Sequence, residues 1–338
     1  MTSKLLFDLM NAKSVSGDES HVRTIIEQQI KKHVDTISVD QSGNLIGIKR
    51  GKQPKVMLAA HMDEIGLIVK SIDGDGKIRI SMLGGIELLT LIGQRVHIET
   101  NKKKIHGIIS TAAMNDGNLM DTFPTREDLF IDTGLTRKEL LSYGINVGTF
   151  ISLEQYNSFL GSKDLIYGKA LDDRIGCYVL IELCKKLRTA KNELYFVFTV
   201  QEEVGLYGAR TSAFNINPDW AVAVDVTNTY EAKQLRLVGK GPSLTVKDAE
   251  MIGNPCLNRW ITDIAKKLKI PIQPDVSDLG TSDALTISIS RGGIPTAMIG
   301  VPVRNIHSTI GIASLKDIDN LIRILYALLK DPPKALVL

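Results

Sequence analysis

Six ionisable residues stand where apolar runs of this sequence break off, or just before a helical segment. They are His61, Asp172, Glu202, Glu203, Asp225 and His307. Glu202 and Glu203 follow the charge-free run Leu194 to Val200, a composition suited to a strand buried on both faces. Adjacent residues leaving a strand point in different directions, so the two glutamates are placed for different tasks. Carboxylates at the rim of a buried sheet are costly unless something positive sits among them. Two imidazoles with several carboxylates form a mixed nitrogen and oxygen donor set. Such a set suits zinc, cobalt or manganese, and two close ions need a carboxylate between them.

The elements that must position these residues alternate between helix and strand. Val22, Ile25, Ile26 and Ile30 recur at helical spacing behind Asp18, which is expected to cap them. Strands are predicted at 36–39, 45–49 and 56–60, the last delivering His61. From Leu67 to about Lys163 the texture changes to short alternating segments split by glycine, asparagine and aspartate turns. One short helix interrupts them, opened by Thr136 with Glu139 as a capping box. After Gly168 the helix and strand rhythm resumes. A helix is predicted from Asp173 to Leu187, strands end on Asp225 and Ile299, and a last helix covers 317–329. Asn254-Pro255 opens a further helix. The expected fold is α/β: a three-layer α/β/α sandwich, residues 1–66 and 164–338, with a small β-barrel-like domain, 67–163, inserted after the first strand ending. In an open α/β sheet the carboxyl ends of the strands share one edge, and ligands bind there. The six residues therefore converge despite their separation in sequence.

Composition narrows the function. At 338 residues and 43% hydrophobic content the chain can bury a large core. A net charge of +3, from 41 basic and 38 acidic residues, leaves no footprint for nucleic acid. Cys177, Cys184 and Cys256 are the only cysteines and lack metal-type spacing; the first two read as buried, reduced core thiols. His21, His33, His97 and His106 read as surface residues. No apolar run approaches membrane-spanning length and the amino-terminal segment lacks a signal-peptide pattern, so a cytoplasmic protein is expected.

Five ordered stretches carry a resemblance: His61-Met62-Asp63-Glu64-Ile65-Gly66, Lys169-Ala170-Leu171-Asp172-Asp173-Arg174-Ile175-Gly176-Cys177, Gln201-Glu202-Glu203-Val204-Gly205, Val224-Asp225-Val226 and Arg304-Asn305-Ile306-His307-Ser308. Together they resemble the dinuclear-metal aminopeptidases of the tetrahedral (TET) type, also described as glutamyl or deblocking aminopeptidases. The resemblance implies that Asp172 bridges two divalent ions, with His61 and Asp225 completing one site and Glu203 and His307 the other. It makes Glu202 the general base and Asp63 the acid that orients a ligand imidazole. An unligated base beside a ligand glutamate agrees with this division. The sequence departs from the family at Asp173, where asparagine is usual, at Ile86, where tryptophan is frequent, and at Gly280-Thr281-Ser282-Asp283-Ala284, which only approximates the family's Gly-Thr-Asp-Ala turn.

The activity implied is removal of single residues from the free amino end of short peptides by a water activated at two metal ions, zinc or cobalt ahead of manganese. The inserted domain is expected to serve assembly into a homo-oligomer, a dodecameric shell. Neither nucleic acid nor membrane is an expected partner. Two other enzyme classes stay open: a metal-dependent deacylase or carboxypeptidase-like amidohydrolase, and a glycoside hydrolase working with two carboxylates. A metal-binding protein without turnover is a third alternative. The strand-end histidines have no evident task in a glycosidase.

Overall fold

The computed structural model describes residues 2–112, 124–233 and 235–332. Helices α1 (Thr2–Asn11) and α2 (Ser20–Ile30) lead into strands β1 (Thr36–Val39), β2 (Leu45–Lys49) and β3 (Lys52–His61). Helix α1 was not expected from the sequence. Nor does Asp18 cap α2: Glu19 occupies the cap position without a side-chain capping bond. Its carboxylate instead accepts from the Gly17 and Gln201 N–H groups, which ties the helix start to the loop carrying the glutamate pair.

The chain then forms six strands, β4 (Gly66–Ile72), β5 (Ile78–Leu83), β6 (Arg95–Glu99), β7 (Lys104–Thr111), β8 (Leu129–Asp132) and β9 (Phe150–Leu153). They close into a barrel in the order β4-β5-β8-β7-β6-β9. Inward side chains such as Leu67, Val69, Ile98, Ile109 and Ile151 make its core. Between β8 and β9 lies α3 (Arg137–Ser142), where Thr136 and Glu139 form both bonds of the expected capping box. A hairpin follows, β10 (Ser158–Leu160) and β11 (Ser162–Gly168), so the expected domain junction at 163–164 falls inside β11.

The remaining elements are α4 (Leu171–Lys186), β12 (Asn192–Thr199), α5 (Tyr207–Ile216), β13 (Trp220–Asn228), β14 (Ser243–Lys247), α6 (Pro255–Lys267), β15 (Gln273–Val276), α7 (Asp283–Ser288), β16 (Thr296–Val303), β17 (Gly311–Ser314) and α8 (Leu315–Lys330). The main sheet runs β1-β2-β12-β3-β13-β16-β14-β15. Strands β12, β3, β13 and β16 are parallel neighbours. Alternate residues feed opposite faces, as the strand period dictates. Val56, Leu58, Phe196 and Val222 pack with α1, α2, α4, α6 and α8, whereas Met57, Ala59, Val197 and Ala221 pack with α5 and α7. This is a three-layer α/β/α sandwich carrying a closed barrel. One boundary differs from expectation: β13 does not end on Asp225 but continues to Asn228, because its partner β16 keeps pairing through Val303.

Candidate metal centre and active site

Parallel β3, β12 and β13 terminate or pass along one edge, and each brings an ionisable side chain to it. His61 is the last residue of β3, pairs across the sheet with Thr199 and is 2% exposed. Asp225 sits in β13 opposite Gly300, where a side chain would strike the Asp225 carbonyl at 2.5 Å. That contact lets the two strands stay in register beside the site. Asp172 precedes the regular turns of α4: it and Asp173 have non-helical backbone angles and share a cis peptide bond. His307 lies in the loop between β16 and β17 at φ +58°, a left-handed conformation that a non-glycine residue adopts only under restraint. Ala170, Gln201, Leu206 and Asn305, all near the site in sequence, share that region.

These side chains meet. His61 Nε2 is 2.9 Å from Asp172 Oδ1, and His307 Nε2 is 3.4 Å from Asp172 Oδ2, so the two oxygens of one carboxylate face different imidazoles. Glu202 Oε2 and Asp225 Oδ1 each lie 3.9 Å from His61 Nε2, and Glu203 Oε2 lies 3.8 Å from His307 Nε2. Donor atoms of His61, Asp172 and Glu203 fall within 4.8 Å of one another, as do those of His61, Asp173 and Asp225. All six residues expected from strand endings line one cavity of about 530 Å³.

Asp63 is buried beneath this cluster. Its carboxylate accepts from Ser16 Oγ at 2.6 Å and from the backbone N–H groups of Glu202 and Glu203 at 3.1 and 3.2 Å. The nearest acceptor to His61 Nδ1 is the Asp63 carbonyl at 3.1 Å, with the carboxylate at 3.4 Å. Asp63 therefore shapes the turn that presents both glutamates and also faces the imidazole.

The electrostatics are those of an anionic well. Among the described residues no lysine or arginine forms an ion pair with Asp172, Glu202, Glu203 or Asp225; only the imidazoles approach them. Burial, then repulsion from Asp172, pushes Glu203 up to about 8 and Asp225 up to about 7. Burial also raises Glu202 well above the carboxylate range, against the pull of His61. Asp172 resists burial because both imidazoles hydrogen-bond to it, and it stays well below the usual value. His307 is lifted to about 9, chiefly by its bond to Asp172. Glu203 Oε1 is buried without a hydrogen-bond partner. A crowded set of carboxylates with an orphaned oxygen and two imidazoles fits divalent cations, which would replace the protons held there.

Sequence reasoning missed several supports. Glu64 receives Lys169 Nζ at 2.7 and 2.6 Å and lies 3.6 Å from Arg174, all three buried. Asp173 is buried; Oδ1 accepts from Gly176 N–H at 2.8 Å and Oδ2 has no partner. Burial, then repulsion from Asp225, pushes it well above the usual carboxylate value. Asp283, in the turn that departs from the family pattern, is buried and accepts from Thr199 Oγ1 at 2.5 Å. His97 is buried rather than exposed, within 2.8 Å of Lys13 Nζ and stacked on His106. Arg304 is paired with Glu231. Only the family motif, and no local pattern, marks Glu64, Lys169 and Arg174.

An α/β/α sandwich with two imidazoles and four carboxylates at the carboxyl edge of its parallel strands defines a hydrolase of the metal-centre class. A family model described as M42 glutamyl aminopeptidase matches residues 43–324, and the chain belongs to that family. It is 34% identical to a lysyl aminopeptidase of Pyrococcus furiosus over 97% of this chain and 96% of the relative. The crystal structure of a TET aminopeptidase from Thaumarchaeota archaeon SCGC AB-539-E09 superposes with a TM-score of 0.94 at 34% identity, covering 98% of this chain and 97% of that one. A TET1 peptidase of Pyrococcus horikoshii, reported to assemble into a tetrahedron or a large octahedral shell, superposes at 0.89 with 31% identity over 97% and 99%. The chain is a metallo-aminopeptidase, and the deacylase and glycosidase alternatives are not favoured.

Proposed function

We propose that this enzyme removes the first residue of short peptides with a free amino end, using two divalent ions held by His61, Asp172, Glu203, Asp225 and His307. The observation that carries the reading is the placement of Asp172, whose two oxygens face His61 and His307 separately. In this reading Asp172 would be shared by two cations, one also held by His61 and Asp225 and the other by Glu203 and His307. When bound, the ions would polarise the scissile carbonyl and lower the pKa of a water. Glu202 faces the same cavity, 3.9 Å from His61 Nε2, and is the group that would take a proton from the attacking water and return it to the leaving amine. Asp63 keeps Glu202 in place through its backbone bond. Zinc or cobalt suits a donor set with two imidazoles, and manganese, a harder ion that favours carboxylates alone, fits it less well.

The division into a catalytic part, 1–66 and 164–338, and an inserted barrel part, 67–163, belongs to the same reading. The separate barrel core supports it, as do outward apolar residues of that part such as Leu89, Ile108 and Val147, which suit contacts between copies. Assembly into a dodecameric shell follows from this role and from the relative's reported tetrahedron. No helix among the described residues is long and apolar enough to cross a membrane, and the buried Cys177 and Cys184 are free thiols, which suits a reducing, cytoplasmic setting.

Elemental analysis of the purified protein, paired with aminoacyl chromogenic substrates and their amino-blocked twins, tests the proposal. Two equivalents of divalent ion and cleavage only of the free amines are expected. Cleavage of blocked substrates, or activity that survives chelation, would reject it.

A further inference from the structure

The cavity lined by the candidate metal ligands does not end there. It continues past Asp225 and Asn228 to a second group of charges on the edge of the sheet, Arg236, Asp248 and Asp275. Each of the three is less than a tenth exposed. Arg236 Nη1 donates to Asp275 Oδ2 at 2.8 Å, and its guanidinium lies 4.6 Å from the centre of the Tyr230 ring. Asp248 accepts the N–H groups of Glu250 and Met251 through Oδ1 at 2.9 and 2.7 Å, and among the described residues no cation forms an ion pair with it. It stands close enough to Asp275 to help raise that carboxyl, after burial. One guanidinium thus serves two carboxylates, and the inner end of the cavity is left with a net negative charge. The neighbouring Lys247 does not cancel it, because its ammonium is engaged by the Asp248 and Ser277 carbonyls and by Asp278.

The sheet register sets the distance. Asp225 pairs with Gly300, Gly300 with Ser243, Ser243 with Gln273, and Asp275 lies two residues further along its strand. Three strand spacings of ~4.8 Å and that offset separate the Asp225 and Asp275 backbones by about 16 Å. The two aspartate side chains, a peptide's first α-carbon and a long extended side chain fill such a span; a short side chain leaves the end of the cavity wet. Arg236 Nε is buried without a hydrogen-bond partner. A carboxylate placed there would face both aspartates.

We propose that this end of the cavity receives the side chain of the substrate's first residue, and that Asp248, with Asp275, selects a cationic one, lysine or arginine. The proposal rests on the aminopeptidase reading and gives it a substrate class. A buried charge with a desolvated partner contributes strongly to discrimination, and truncating one side of such a pair is costly.

The test compares lysyl, arginyl, leucyl and glutamyl 4-nitroanilides on the metal-loaded enzyme. The expected result is a kcat/KM for the lysyl and arginyl substrates at least about tenfold above the other two, and a lysyl-to-leucyl ratio that falls at least about tenfold in Asp248→Asn, mostly through KM. Asparagine retains the oxygen that holds the turn, so the change removes charge and little else. A leucyl or glutamyl preference in the unmodified enzyme, or an unchanged ratio in the variant, would overturn the proposal, and the first of these decides even where the variant does not fold. Inactivity towards all four would instead sink the aminopeptidase reading. Calorimetry with free lysine, leucine and glutamate then decides the pocket: tighter binding of lysine supports a cationic site, and equal binding rejects it.

Discussion

Glu202 and Glu203 are chemically identical neighbours with different surroundings, and the difference is open to experiment. Glu203 faces His307 and has a buried, unpartnered oxygen, whereas Glu202 lies 3.9 Å from His61. Glu202→Gln should lower kcat roughly 100- to 10,000-fold, the usual contribution of general acid–base catalysis, with metal content unchanged on elemental analysis. Glu203→Gln should lower the metal content itself. The same residues give a pH signature. Asp225, Glu203 and His307 are raised to about 7, 8 and 9 from ordinary values of 3.8, 4.5 and 6.5. The folded, metal-free protein holds protons there that the unfolded chain has released. The resulting stability is complete in acid, below the unfolded values, and is lost progressively as the pH rises from 3.8 to about 9. Calorimetric melting of chelated protein should therefore show a falling Tm over that range. Divalent ions should flatten the profile by taking the place of the protons, and their affinity should rise with pH.

At the scale of elements, the centre is assembled by short connections clamped to one another. Glu64 follows the His61 strand, and Lys169 and Arg174 bracket Asp172 and Asp173, so one buried ionic group ties two ligand-bearing segments together. Glu64→Gln leaves two buried cations without their shared carboxylate and should cost about 3–5 kcal/mol, read from urea unfolding. Lys169→Met leaves Glu64 with Arg174 and should cost less. An order reversed from this would show that Glu64 does not anchor the group. How much of this was legible depended on whether the signal was local. The apolar parts of the buried strands, 56–60 and 194–199, announce themselves by composition, and the capping box at Thr136 and Glu139 is a local pattern that the structure reproduces. Asp225 shows the opposite case: a charge in mid-strand reads as an ending until the partner strand is seen to continue beside it. The short strand β8, Leu129–Asp132, was missed because its pairing with β5 and β7 is non-local. His97 read as a surface residue because nothing in its neighbourhood shows that Lys13 covers it. The strand-ending residues of the site were legible because sheet topology forces those ends to one edge. The ionic clamp beneath them was not, because its meaning lies in which distant segments it joins.

The molecule as a whole couples the barrel to the chemistry through one turn. A side chain at Gly84, where φ is +88°, would stand 2.9 Å from Glu203 Oε2, and one at Gly85 would stand 3.3 Å from His307 Nδ1. The barrel thus forms part of the cavity wall. Ile108 points outward from β7 and is 54% exposed, while Ile109 beside it fills the barrel core. Ile108→Glu should therefore spare the barrel fold but place a charge in any contact between copies, and burying an unpaired charge is strongly unfavourable. Light scattering should show a large assembly for the unmodified protein and a smaller one for the variant. The metal-binding residues are untouched, so short chromogenic substrates should still be cleaved. If a closed shell filters substrates by size, the dispersed enzyme should gain on long unstructured polypeptides relative to short peptides. An unchanged ratio of long to short cleavage in a dispersed variant would show that selection by size resides in the cavity of each subunit, and that the barrel's contacts serve stability alone.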